Sequence, residues 1–245
     1  MEYNWKINRN NIKIECLNLF NYINNYMASN INHENKDTKC YIQIPFEFTK
    51  EYYKLKDIYD SIDKNIITSE GIIELGDCKF NNFIGDITKD IKWTWAINKE
   101  SLEIFENFIN PYKSIINKYF NNDFIIRGCS FITLFEKKVS DTDFHFDITS
   151  HYDIKSESNT LTLILPLYIE ENMGNLEYKE DVTKIYKYSK NHMFVWDACK
   201  LEHRTQPYKL TKKKKRVLVS INFSSNQEWA LTSVTNSLKC QGNLL

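Results

Sequence analysis

The feature that most restricts the fold of this chain is a series of short apolar runs, rich in β-branched and aromatic residues, in its second half. Runs of this length, separated by polar turns, are typical of β-strands. They lie at residues 124–135, 161–169, 184–188, 192–196 and 217–223. Several such strands in succession predict a β-sandwich or barrel in this half of the chain.

The first half shows mainly helical periodicity. Apolar residues recur at three- and four-residue steps in 11–28 and again in 101–120, which predicts two amphipathic helical regions. In the second region Ser101 is the predicted N-cap, and Pro111 is expected to kink the helix or break it in two. Residues 40–48 alternate like a strand, with Pro45 suited to an edge or a strand end, and 51–63 read as helical. Helices followed by strands predict an α+β protein.

No repeat, linker or low-complexity tract divides the 245 residues, a length that one domain can fill. We therefore predict a single domain over 1–245. Residues 1–122 would supply mainly helical support and the substrate region, 123–225 the β-rich core with any metal site, and 226–245 a C-terminal tail.

Charge and hydropathy limit the partners of the chain. Lys plus Arg and Asp plus Glu both total 32, so no long-range field attracts nucleic acid or acidic membranes. The lysine run at 212–215 is more consistent with a solvated turn than with a nucleic-acid patch or a nuclear address. No run approaches the roughly 20 apolar residues of a membrane span, and the N-terminus lacks the apolar core of a signal peptide. We expect an intracellular protein, cytoplasmic or nuclear, without a membrane partner.

Two His-x-Asp triplets lie in the β-rich half, His145-Phe146-Asp147 and His151-Tyr152-Asp153. Side chains two positions apart in a strand point to the same face, so either triplet would bring an imidazole and a carboxylate together. We favour His145 and Asp147, because the aromatic residues beside them suit a strand whose other face is covered. His151 and Asp153 lie in polar surroundings that suit a loop, and they remain the alternative.

A second histidine from a distant strand would complete a set of two imidazoles and one carboxylate. Such a set leaves about three positions open on an octahedral Fe(II), which suits oxygen activation. His203, just beyond the apolar strand at 192–196, is the preferred donor. His192, which opens that strand, is the alternative, and a structural role for His203 is the other interpretation.

Arg216 opens a run in which residues 216, 218, 220 and 222 share one face of a strand. A guanidinium can hold a carboxylate by two parallel hydrogen bonds, a geometry that lysine cannot match. Arg216 is therefore a candidate carboxylate anchor, with the small polar Ser220 on the same face of the pocket. The alternative is a surface arginine that ends the lysine run.

Taken in chain order, these elements resemble the Fe(II)/2-oxoglutarate-dependent dioxygenase superfamily over about residues 125–225. The elements are His145-x-Asp147, the strand at 161–167, the segment Gly174-Asn175-Leu176-Glu177-Tyr178, His203 and Arg216. The turn reads Met173-Gly174-Asn175, where the family often has paired glycines.

The resemblance implies a double-stranded β-helix, also described as a jelly-roll or cupin-like core, with supporting N-terminal helices. It implies that His145, Asp147 and His203 bind Fe(II), that Arg216 and Ser220 bind 2-oxoglutarate, and that O₂ is the second co-substrate. The implied reaction hydroxylates a C–H bond of an unidentified protein side chain or small molecule, with release of succinate and CO₂. A carboxylate ligand at Asp147 favours hydroxylation or demethylation over halogenation. A nucleic-acid dealkylase and a non-catalytic jelly-roll binding protein are the alternatives.

Overall fold

Strands make up most of the elements in the computed structural model, which describes residues 40–86, 91–135, 138–139, 142–148, 157–169, 174–188, 191–209 and 215–244. These residues belong to one unit, Cys40–Leu245. The predicted helix at 11–28, the alternative triplet His151 and Asp153, and residues 212–214 of the lysine run lie outside the described part. The prediction of one domain over 1–245 stays a prediction.

The described residues form thirteen strands and three helices. The strands are β1 (Tyr41–Pro45), β2 (Gly71–Leu75), β3 (Cys78–Asp86), β4 (Ile91–Ala96), β5 (Ile125–Leu134), β6 (Lys138–Val139), β7 (Thr160–Tyr168), β8 (Leu176–Lys179), β9 (Thr183–Tyr186), β10 (His192–Asp197), β11 (His203–Thr205), β12 (Tyr208–Lys209) and β13 (Arg216–Ser224). The helices are α1 (Lys50–Thr68), α2 (Lys99–Phe120) and α3 (Glu228–Cys240). All five strands predicted in the second half are present, within a few residues of their expected bounds.

The strands form one large antiparallel sheet and two small ones. The large sheet has the order β1-β10-β7-β13-β5-β4-β3-β2, and the small sheets have the orders β11-β8-β9 and β12-β6. β13 lies at the centre of the large sheet, paired on one side with β5 and on the other with β7. β1 is the edge strand with Pro45 at its end, as predicted, because an edge tolerates a residue without an N–H.

Two apolar layers hold the sheet in place. On the inner face, side chains of the large sheet such as Phe194 and Leu218 pack with Leu176 and Tyr178 of the small sheet in one buried cluster. On the outer face, Phe131 of β5 contacts rings from both N-terminal helices. The helices therefore cover one face and leave the space between the two sheets for a site.

Helix α2 corrects two expectations. Its N-cap is Asn98, and Ser101 instead occupies the third helical position and completes a capping box with Asn98. The helix also runs through Pro111 without a break. Pro111 lies on the exposed face, while Tyr112 and Ile116 beyond it are buried in the core and hold the second half of the helix in line.

The described helices include none with both the length and the apolarity needed to cross a bilayer.

Candidate active site

His145 and His203 are joined through their backbones. Each backbone N–H donates to the carbonyl of the other residue at 2.9 Å, which forms an isolated antiparallel β-bridge. The sequence predicted a strand around His145 and Asp147, and the structure corrects this, since only His145 takes part in a bridge. This one bridge brings the two imidazole rings to a centroid separation of 4.7 Å.

Both imidazole rings are oriented by their Nδ1 atoms. His145 Nδ1 lies 3.1 Å from the carbonyl oxygen of Asp143, and His203 Nδ1 lies 3.0 Å from that of Leu201. A carbonyl oxygen can only accept, so each Nδ1 carries the hydrogen and donates it. The neutral form of each imidazole therefore has its lone pair on Nε2, as in the histidines that bind metals in proteins.

Asp147 divides its two oxygen atoms between two tasks. Oδ2 accepts hydrogen bonds from Thr162 Oγ1 at 2.7 Å and from Trp196 Nε1 at 3.1 Å. Oδ1 faces the histidines, at 3.4 Å from His203 Nε2 and 4.0 Å from His145 Nε2. Thr162 and Trp196 therefore fix the carboxylate and leave Oδ1 available.

Electrostatics keep this carboxylate charged. Burial alone would raise the pKa of Asp147, but the attraction of His203 and the hydrogen bonds to the carboxylate outweigh it, so the pKa lies below its ordinary value. For His203 burial acts in the opposite direction and would lower the pKa. The attraction of Asp147 outweighs burial, so the pKa of His203 lies above its ordinary value. The pair therefore offers a negative carboxylate that attracts a cation.

The three side chains fit a single divalent metal ion. One ligand atom from each of His145, Asp147 and His203 lies within 4.8 Å of the others. Two imidazole nitrogens and one carboxylate oxygen are the donor set of non-haem Fe(II) oxygenases, which leaves open positions on the metal. The His203 side chain is only 6% exposed and that of His145 is 56% exposed, so the group is buried on one side and accessible on the other.

A cavity of about 580 Å³ opens beside this group. Arg216, Leu218, Ser220 and Asn222 all line it, which confirms the prediction that these alternate residues of β13 share one face. Apolar side chains from the neighbouring strands complete the inner wall, among them Ile132, Leu134, Ile164, Leu176 and Trp196. The volume lies within the range of about 300–1,000 Å³ common for small-molecule sites.

Arg216 is buried at one end of this cavity, with 2% of the residue exposed. Its NH1 donates to the carbonyl of Gly174, and its guanidinium carbon lies 5.2 Å from the ring centroid of Tyr188. The alternative of a solvent-exposed arginine is therefore wrong. Ser220, also buried, faces the same cavity.

Gly174 has a backbone reason to be glycine. Its φ of +71° lies in the left-handed region, and a Cβ there would lie 2.6 Å from the carbonyl oxygen of Gln206. Gly174 thus brings its backbone carbonyl to Arg216.

The other candidate residues have structural partners. His192 pairs with Pro45 at the start of β10, and it lies outside the group of described residues that could hold a metal ion. Arg204 forms an ion pair with Glu177 at 2.7 Å and lies over the Phe144 ring at 4.4 Å. These contacts give Arg204 a structural role.

The residues that hold Asp147 were not predicted from the sequence. Thr162 is a polar residue inside an apolar run and Trp196 ends another, and this interruption was the available signal. Residues 226–245 were predicted to be a C-terminal tail, and the structure corrects this, since the region contains α3. Ser237 of α3 donates to the backbone oxygen of Asp147 at 3.2 Å, and Val234 and Leu238 line the cavity.

No protein-family model and no curated protein matches the sequence. Solved structures do match. A prolyl hydroxylase from Trichoplax adhaerens, in complex with a hypoxia inducible factor peptide, is 14% identical, with 93% of this chain and 98% of the other covered at a TM-score of 0.58. The Pseudomonas putida prolyl-4-hydroxylase is 12% identical, with coverages of 84% and 98% and a TM-score of 0.50. The α-ketoglutarate-dependent carbocyclase SnoK from nogalamycin biosynthesis is 12% identical, with coverages of 77% and 80% and a TM-score of 0.52.

The chain has the fold of the 2-oxoglutarate/Fe(II) oxygenases. This confirms the predicted α+β class with a double-stranded β-helix core and supporting helices. Hydroxylases and a carbocyclase share this 2-oxoglutarate oxygenase fold, so the fold alone leaves the reaction open.

Proposed function

We propose that the protein is an Fe(II)- and 2-oxoglutarate-dependent oxygenase that hydroxylates a C–H bond of a protein side chain or a small molecule. The observation that carries this proposal is the convergence of two imidazole Nε2 atoms and one carboxylate oxygen, each oriented by a hydrogen bond on its other atom. Oriented donors of this kind are what a resident metal requires.

In this proposal His145 Nε2, His203 Nε2 and Asp147 Oδ1 hold Fe(II). Fe(II) and 2-oxoglutarate, when bound, supply the oxidation in which O₂, the keto acid and a C–H group become succinate, CO₂ and an alcohol. The protein contributes position and environment. Thr162 and Trp196 keep the carboxylate oriented, and the apolar wall excludes bulk water from the site.

Arg216 would bind the C5-carboxylate of 2-oxoglutarate. Its burial matters, because a charge-assisted hydrogen bond is stronger in a medium of low dielectric constant than in water. The bond to the Gly174 carbonyl fixes one side of the guanidinium plane and orients the rest towards the cavity. Ser220 on the same strand would supply a hydroxyl donor to the bound acid.

Succinate formation from 2-oxoglutarate tests this function, because it can be measured with Fe(II) and O₂ before the prime substrate is identified. We expect the wild-type chain to take up one metal ion and to form succinate, and His203→Ala to lose both. His192→Ala is the matched control, since it removes a histidine outside the metal group, and it should retain both properties. The proposal would be contradicted if the wild type formed no succinate, if it formed succinate equally well without Fe(II), or if His203→Ala took up metal as fully as the wild type.

A further inference from the structure

The cavity extends beyond the space that a co-substrate held by Arg216 would fill. Arg216 and Asn222 stand at the two ends of the cavity-facing row on β13, with Cα atoms about 20 Å apart at strand spacing. The cavity, of about 580 Å³, is several times larger than a five-carbon acid, so it has room for a second molecule beside the co-substrate. The Asn222 end of the row lies farthest from the acid anchor and is the end available to that molecule.

Asn222 lies between the metal-binding residues and α3. On one side its register partner is Thr162, whose hydroxyl donates to Asp147. On the other side its register partner is Gly128, where a Cβ would lie 2.7 Å from Leu238 of α3. Facing residues in antiparallel strands have Cβ atoms about 5 Å apart, so the Asn222 amide is a close neighbour of the metal group.

The Asn222 side chain also has an unusual hydrogen-bonding state. Its Oδ1 is buried and has no hydrogen-bond partner among the described residues. Leaving a buried acceptor unpaired destabilises a fold, and most buried polar atoms in proteins do have a partner. An apolar side chain of similar size would avoid this cost, so the amide calls for a partner outside the chain.

The surroundings of Asn222 define the chemistry of that partner. The described lining residues near Asn222 from β4, from α3 and from the C-cap of α3 are uncharged: Trp93, Val234, Ser237, Leu238 and Gln241. These five side chains offer no charge to a ligand, so a neutral ligand group is the best match among them. A carboxamide both donates and accepts, and its natural complement is another amide.

We propose that Asn222 is a specificity-determining residue that binds an amide group of the substrate, next to the carbon that is oxidised. This proposal rests on the proposed oxygenase function. The amide would be a peptide bond or a side-chain carboxamide of the substrate. It would lie under α3, with the adjacent apolar part of the substrate against Trp93 and Leu238. The row on β13 would then bind the acid co-substrate at Arg216 and the neutral substrate at Asn222.

Thermal unfolding of the full chain provides the first test, with no substrate needed. Because Asn222 Oδ1 is unpaired, Asn222→Leu should raise the unfolding midpoint by about 2–4 °C. Ser225→Ala is the matched control, since Ser225 Oγ donates to Asn159 Oδ1 at 2.7 Å and its loss should lower the midpoint. If Asn222→Leu destabilises the chain as the control does, the amide has a structural role and the proposal fails.

Ligand binding provides the second test. Saturation-transfer NMR would compare isobutyramide with methyl isopropyl ketone and isobutyrate, on the full chain with 2-oxoglutarate and Zn(II). We expect the amide to bind about fivefold better than its ketone analogue, from one added hydrogen bond. Isobutyrate is the control for binding through Zn(II), since a carboxylate is itself a zinc ligand. Asn222→Leu should abolish the preference for the amide.

Equal binding of amide and ketone, or a preference that survives Asn222→Leu, would overturn the proposal. The succinate assay keeps the two proposals distinguishable. A wild type that forms succinate but shows no amide preference refutes only the role of Asn222. A wild type that prefers the amide but forms no succinate refutes the catalytic function and leaves the amide site standing.

Discussion

Replacing Thr162 with valine tests whether Asp147 is a metal ligand. Valine keeps the shape of threonine and removes the hydroxyl that donates to Asp147 Oδ2 at 2.7 Å. A hydrogen bond to a charged group contributes about 1.5–3 kcal/mol, and each 1.4 kcal/mol is a factor of ten in affinity. Since Trp196 still donates to the same oxygen at 3.1 Å, we expect the lower end, about a tenfold loss of metal affinity.

Isothermal titration with Mn(II) measures this loss directly. Thr160→Val is the matched control, because Thr160 is a buried threonine of the same strand whose hydroxyl contacts Cys199 Sγ at 3.2 Å instead. It should leave the Mn(II) dissociation constant unchanged. The double variant Thr162→Val/Trp196→Phe should lose more affinity than either single variant. Unchanged Mn(II) affinity in Thr162→Val, in Trp196→Phe and in the double variant would refute the assignment of Asp147 as a ligand.

Three further changes probe the anchor and the scaffold. Arg216→Lys keeps the charge but loses the bidentate geometry, so KM for 2-oxoglutarate in the succinate assay should rise at least about tenfold. Gly174→Ala should lower the thermal midpoint more than Gly76→Ala does, since both glycines have positive φ but only at Gly174 would a Cβ meet other atoms within 4 Å. Pro111→Ala should stabilise the chain by about 2 kcal/mol in denaturant unfolding, because it restores a helical N–H, and should leave Mn(II) affinity unchanged.

The central strands could be predicted from the sequence because they are buried. β7 and β13 lie in the middle of the large sheet between two apolar layers, and such strands appear as continuous apolar runs. Alternation within β13 then identified the residues that face the cavity. The two His-x-Asp triplets had equal spacing, and only the flanking residues favoured His145.

Strands β2, β3 and β4 were not predicted, and their polar residues explain why. Asn81 and Asn82 of β3 are buried, but their amides donate to backbone carbonyls of Gly242 and Ile66. These partners lie outside the local sequence. From the local pattern alone, two adjacent asparagines indicate an exposed segment and not a buried strand. The contact of Ser237 with Asp147 depends on tertiary neighbours in the same way. The N-cap at Asn98 is different, since its capping box with Ser101 is local to the sequence.

The β-bridge between His145 and His203 has a consequence for how the protein matures. The two residues are distant in sequence, and they meet only after the segment around His145 has docked on β11. Closing the intervening loop costs entropy, which the packing of both segments must offset. Metal uptake should therefore require both segments to be docked, and Mn(II) binding during refolding would report when His145 and His203 have met.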